Sequence, residues 1–184
     1  MKKIVLLGDS IRLIGYGKRV CELLSDNYEV WQPDDNCRFS SYTLRLIYDN
    51  IGYIKDADII HWNNGLWDTC HLFDDGTFTS IAVYVENMKR IARILLTLGK
   101  KVVFATTTPV TPSNPITCND DIDAFNKAVV PALQKMGVLI NDLNKTVLQN
   151  IDEYIRKDDN IHLSEKGIEV CAKQVTDFIK DSLS

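Results

Sequence analysis

A parallel β-sheet sandwiched between two helical layers, an α/β fold, is what this sequence predicts, and three features predict it. Short runs rich in Val and Ile alternate with longer amphipathic segments. The short runs are continuously apolar instead of alternating, as strands covered on both faces require. The connections between them are short, so strand–helix–strand units follow, and with them a parallel sheet of about five strands.

Five segments read as strands. Lys3–Leu7 (KIVLL) is a buried strand, Asn27–Gln32 (NYEVWQ) a weaker second and Asp58–Trp62 (DIIHW) a third. Lys101–Thr106 (KVVFAT) has the clearest pattern, and Val138–Asn141 (VLIN) completes the set. Among the helices, Thr79–Leu98 repeats apolar residues every three or four positions, from Ile81, Tyr84 and Met88 to Leu95. Gly99 then stands where a C-capping glycine belongs. Asp121–Met136 has the same stripe and ends at Gly137, with Pro131 expected to kink or split it. Ser164–Leu183 makes the last helix, with Ser164 as its N-cap, and Tyr16–Leu24 and Tyr42–Ile51 are shorter ones. With no repeat, linker or low-complexity tract, residues 1–184 read as one domain, long enough to bury roughly 70% of its unfolded surface.

Composition excludes several classes. The net charge is -4 with 25% charged residues and no basic run, so neither nucleic acid nor an anionic membrane is an expected partner. Asp9 and Arg12 interrupt the apolar start, which argues against a signal peptide, and no apolar stretch reaches membrane-spanning length. Five cysteines, Cys21, Cys37, Cys70, Cys118 and Cys171, are scattered without a CxxC pair, the pattern of reduced thiols in a cytoplasmic protein.

Chemistry concentrates in loops that leave the C-terminal ends of strands. The first carries Gly8-Asp9-Ser10, and the third runs from His61 to Asp68 (HWNNGLWD). A polar stretch before the last helix reads Lys157–Ser164 (KDDNIHLS). There Asp159 precedes His162 by three residues, so in a turn its carboxylate can meet the ring Nδ1–H and leave Nε2 free to accept a proton. Taken singly, these signals have ordinary explanations, since a serine after a strand is most often a turn residue and DxxH a solvated loop. Asp9 is expected to tie down its own turn by accepting backbone N–H bonds, and Asp158 to be solvated. Trp62, Leu66 and Trp67 could line a pocket or belong to the core. His61, His71 and Cys70 lack zinc spacing, so no metal and no cofactor is expected. The irregular Thr107–Asp120 stretch, holding three of the five prolines, sits where α/β sheets place sites, although a passive excursion explains it equally well.

Together, GDS after the first strand, an asparagine closing the third and DxxH before the C-terminal helix resemble the SGNH (GDSL-type) hydrolases. The order matches from Lys3 to the final helix, and Asn63–Asp68 is similar to an Asn-x-Gly-Leu-x-Asp variant of the family's third block. The resemblance implies esterase or acylhydrolase activity on a flavodoxin-like sheet, through an acyl-serine intermediate. It assigns Ser10 as nucleophile, His162 as general base and Asp159 as its orienting acid. The oxyanion hole would combine the N–H of Ser10, the Asn63 amide and a backbone N–H within Asp35–Ser40, placed at Arg38. Two departures stand out: His61 occupies the third block's glycine position, and no glycine lies near Arg38. The partner would be a small-molecule or carbohydrate ester. Small size without a lid-like helix favours a short acyl group, with acetylated carbohydrate the leading expectation.

Two rival readings remain from the residues. A flavodoxin-like binding module could use Leu7–Gly17 as a phosphate cradle, but its glycines lack G-x-G-x-x-G order and no GK[ST] follows. A catalytically silent scaffold of the same fold is the other.

Overall fold

The computed structural model describes residues 1–184. Five strands, β1 (Lys2–Gly8), β2 (Tyr28–Trp31), β3 (Ile59–Asn63), β4 (Val102–Ala105) and β5 (Leu139–Asn141), form one sheet in the order β2-β1-β3-β4-β5. Every pairing is parallel. All five strand segments expected from the sequence are present.

Strand pleating sends alternate side chains to opposite faces. Ile4 and Leu6 join one apolar cluster, with Cys171, Val175 and Ile179 of α8 (Glu165–Leu183) and Val20 of α1 (Gly17–Leu24). Val5 and Leu7 join the other, against Leu46 of α2 (Ser40–Asp49), Met88 and Ile91 of α4 (Ile81–Leu98) and Phe125 of α5 (Asn119–Gln134). Each fully buried aliphatic side chain stabilises the fold by roughly 1.5–3 kcal/mol, which explains why β1 and β4 are continuously apolar. Ser164 caps α8 by accepting the Gly167 N–H at 3.1 Å, as its position predicts.

Two details refine the sequence reading. Pro131 does not split α5, which runs on three residues to Gln134, so its missing N–H costs one bond of the ladder without ending the helix. Gly99 follows α4 in extended backbone, at φ -135°, not in a left-handed cap. A Cβ there would sit 2.7 Å from Ile60 Cδ1, so close approach to β3 is what demands glycine. Gly137, at φ +87°, is the left-handed one. Four short helical pieces lie beyond the expected set: a π-helical turn at Ile11–Tyr16, α3 (Ile51–Ile54), α6 (Leu143–Leu148) and α7 (Ile151–Tyr154). No helix is long and apolar enough to cross a membrane.

The strand order places a topological switch between β1 and β3, with Gly8 opposite Asn63 at their C-terminal ends. Ligands of open α/β sheets bind in the crevice at such a point.

Candidate active site

Gly8 ends β1 because nothing larger fits. A Cβ there would lie 2.0 Å from Asn63 Oδ1 and 2.8 Å from Arg12 Cβ. The turn that follows is held from beneath. Asp9 Oδ1 accepts the Ile11 N–H at 2.9 Å, as expected, and also the Asn63 amide at 2.7 Å. Burial pushes the Asp9 carboxyl up to about 6, against the pull of those two donors and of the Arg12 guanidinium. Its Oδ2 has no protein partner.

Arg12, fully buried, ties this turn to the loop after β2. Its guanidinium donates to the carbonyls of Pro33 (2.7 Å), Asp35 (2.6 Å) and Gly8 (3.2 Å). Cys37 closes the same seam, exchanging bonds with Gly8 through its N–H and Sγ. Ser10 is thereby presented at the mouth of a rigid post.

The loop before α8 supplies the other half. It closes on itself through an antiparallel bridge between Ile155 and Leu163 and a 2.8 Å bond from the Arg156 N–H to the His162 carbonyl. Asn160 turns the chain in the left-handed region, at φ +62°. Inside the turn Asp159 Oδ1 accepts the N–H groups of Ile161 and His162, both at 3.0 Å. Its Oδ2 lies 3.0 Å from His162 Nδ1, and His162 Nε2 lies 2.9 Å from Ser10 Oγ. Partial burial works to raise the Asp159 carboxyl, but the two N–H groups and the His162 ring outweigh it and hold it at about 2. The carboxylate is therefore ionised at any working pH. Asp158 pairs with Arg156 at the surface, as its solvated reading anticipated.

Ser10, His162 and Asp159 thus form one connected chain across 152 residues of sequence. Asn63 joins them at the foot of the turn, with its Oδ1 accepting the Tyr16 hydroxyl at 2.9 Å. That bond fixes the amide orientation and directs Nδ2 toward Asp9; the second Nδ2 hydrogen is not engaged. The Arg38 donor expected from sequence needs correction. The Arg38 N–H is already spent on Asn36 Oδ1 at 2.7 Å, within a turn that holds Arg38 in the left-handed region at φ +50°. The backbone there is of the kind that favours glycine, but its hydrogen points into its own turn.

Several residues around the site had no role assigned from the sequence. Asp68 is buried and accepts both the N–H (2.9 Å) and the hydroxyl (2.7 Å) of Ser40, fixing the start of α2 beside the site. Asn64 holds the Arg38 carbonyl and the Thr43 hydroxyl. The aromatic residues divide: Trp62 is core against Phe104, whereas Leu66 and Trp67 line a cavity beside Ser10. Ile116 and Thr117 of the proline-rich loop line it too. His61 is a core residue, held neutral by burial that lowers it to about 3, and His71 pairs with Asp121 at the surface. No cluster of three or more metal-binding side chains occurs.

Known structures share this arrangement of elements over the whole chain. A lipase/acylhydrolase from Enterococcus faecalis superposes with a TM-score of 0.83 at 21% identity, covering 100% of this chain and 98% of that one. The fold is that of the SGNH hydrolases. An acetyl xylan esterase superposes at TM-score 0.79 and 20% identity, over 96% of this chain and 99% of its own. A GDSL-like lipase from Bacteroides thetaiotaomicron does so at 0.77 and 16%, over 99% and 89%. By sequence, the chain is 24% identical to a GDSL esterase/lipase of Arabidopsis thaliana over 203 aligned positions. That match takes in 97% of this chain but spans only 64% of the plant protein's length. No family model matches the sequence.

Proposed function

We propose that the protein is a serine ester hydrolase of the SGNH (GDSL) type. The observation that carries this reading is the unbroken line Asp159 Oδ2 – His162 Nδ1 and His162 Nε2 – Ser10 Oγ, at 3.0 and 2.9 Å. A nucleophile, a base and an orienting acid at these separations are what acyl transfer requires. The relatives by fold and by sequence carry names of ester-cleaving enzymes, in agreement with it.

In the first half-reaction Ser10 Oγ forms a bond to the ester carbonyl carbon while its proton passes to His162 Nε2. The tetrahedral intermediate collapses, the carbon–alkoxy bond breaks, and the departing alcohol takes that proton. Water then attacks the acyl-serine, His162 accepts its proton and returns it to Ser10 Oγ, and the acid leaves. Asp159 remains a carboxylate, holding the imidazole in one tautomer and stabilising the cation. The Ser10 N–H and the unengaged Nδ2 hydrogen of Asn63 are the donors assigned to the oxyanion, each worth roughly 10²–10³ in rate. With the Arg38 N–H committed to Asn36, a third backbone donor is not assigned. Five free thiols accord with a cytoplasmic setting.

Acetylated carbohydrate, the leading expectation from sequence, finds support in the acetyl xylan esterase that shares the fold. The apolar walls of the cavity beside Ser10 speak for a longer acyl group. The ester-hydrolase reading is tested with p-nitrophenyl acetate and butyrate. The wild-type protein is expected to turn both over and Ser10→Ala to lose nearly all of that rate. Equal rates in the two proteins would place the chemistry elsewhere.

A further inference from the structure

The cavity that Ser10 and His162 open into has a volume of about 590 Å³, within the range of small-molecule sites. Six large apolar side chains line it: Ile14, Leu66, Trp67, Leu72, Ile116 and Ile161. They come from four segments: the π-helical turn, the loop after β3, the proline-rich loop and the turn that carries His162. None of the lining residues is Asp, Glu, Lys or Arg, and apart from Ser10 and His162 the polar side chains are Asn36, Thr117 and the weakly polar thiol of Cys70.

Four of the six lie open to solvent: Ile14 is 56% exposed, Leu72 50%, Trp67 40% and Ile116 39%. Scattered apolar residues on a surface need no explanation, but a convergent set around one nucleophile does. The walls are also braced. The His71 N–H donates to the Ile116 carbonyl at 2.6 Å, joining the loop after β3 to the proline-rich loop. The Thr111 N–H donates to the Asn160 carbonyl at 3.1 Å, joining that loop to the turn of His162. The trough is a built surface whose apolar side chains lack a cover.

On these grounds we propose that the trough formed by Ile14, Trp67, Leu72 and Ile116 beside Ser10 is an acyl-binding subsite for an uncharged aliphatic chain of about four to eight carbons. This rests on the ester-hydrolase reading and names its substrate class. A carbohydrate ring needs many convergent donors and acceptors, and this trough supplies few. An aliphatic chain needs only apolar area, and an acyl group bonded to Ser10 Oγ starts at the edge of that area. Each methylene laid into the trough raises kcat/KM about 2- to 4-fold, from the free energy of burying one CH₂.

The test is a pair of ester series, all below their solubility limits and normalised by active-site titration. One varies the acyl chain from acetate to decanoate on p-nitrophenol. The other keeps acetate and lengthens an alkyl alcohol. The acyl series is expected to climb at least about tenfold from acetate to hexanoate, with the alcohol series flat. Trp67→Ala and Ile116→Ser are each expected to cut the hexanoate-to-acetate ratio severalfold. A ratio at or below one with acetate still cleaved overturns the acyl subsite while leaving the hydrolase intact. A rise along the alcohol series instead assigns the trough to the leaving group and also overturns it. Failure to cleave any ester removes the hydrolase reading and the subsite with it.

Discussion

Ser10 lies between two regions that invert the usual partition of side chains. Beneath it, Asp9, Arg12 and Asn63 are almost wholly buried, and each is hydrogen-bonded there. Beside it, Ile14, Trp67, Leu72 and Ile116 face solvent. Buried polar groups cost free energy unless satisfied, and exposed apolar groups gain nothing until something covers them. The foot therefore uses stability to hold a geometry, and the mouth leaves apolar area free for a ligand. Breaking the foot should cost rate or folding; altering the mouth should change which substrate is used.

The largest effect is expected where the two regions meet. His162→Ala removes the proposed base and should lower kcat/KM about 10³- to 10⁴-fold with an unchanged circular dichroism spectrum, since its side chain is only partly buried. A smaller loss would mean that the base is another group. Next comes Asn63→Ala at the foot. Steady-state kinetics should show kcat falling roughly 10²-fold or more with KM little changed, the mark of a donor acting on the transition state. A change confined to KM would make Asn63 a substrate contact instead.

Gly8→Ala presses a methyl group against the Asn63 amide and should cost roughly 2–3 kcal/mol in urea unfolding. Unchanged stability would show the foot to be softer than its distances imply. The smallest effect is electrostatic. The Asp9 carboxyl stands at about 6 in the folded protein against 3.8 for a free one. Between those values the folded state holds the extra proton, so this group's contribution to stability declines as pH rises through the window. Asn at position 9 does not titrate. The stability of Asp9→Asn relative to wild type should therefore improve by up to about 3 kcal/mol from pH 4 to pH 7, by denaturation at each pH. A pH-independent difference would mean that Arg12 and His162 already compensate the Asp9 charge.

The layers of the fold were legible because burial on two faces writes itself into composition: KIVLL and KVVFAT can hardly be anything but interior strands. That Asp159 would meet His162 was legible for a local reason, a three-residue carboxylate–imidazole spacing, whereas their grouping with Ser10 was expected from the family resemblance. The foot was not legible. Arg12 registered in the sequence only as a charge interrupting the apolar start, because its acceptors are carbonyls of Pro33 and Asp35, more than twenty residues away. Tyr16 looked like a helix start, although its hydroxyl orients Asn63 across the sheet. Arg38 was misjudged by the reverse error: the backbone geometry sought there exists, but a side chain two residues earlier takes up the hydrogen. Of the mouth, Leu66 and Trp67 were open to either a pocket or the core, and the whole was not legible because its six apolar residues come from four separate segments and share a surface only after folding.

Activation of the Ser10 hydroxyl by His162 can be tested directly, whatever the natural substrate is. Treatment with an organofluorophosphonate, followed by peptide mass spectrometry, reads out the nucleophile itself. One adduct per chain on Ser10 is expected, abolished in Ser10→Ala and strongly slowed in His162→Ala. No adduct, or one on another residue that survives Ser10→Ala, would contradict it.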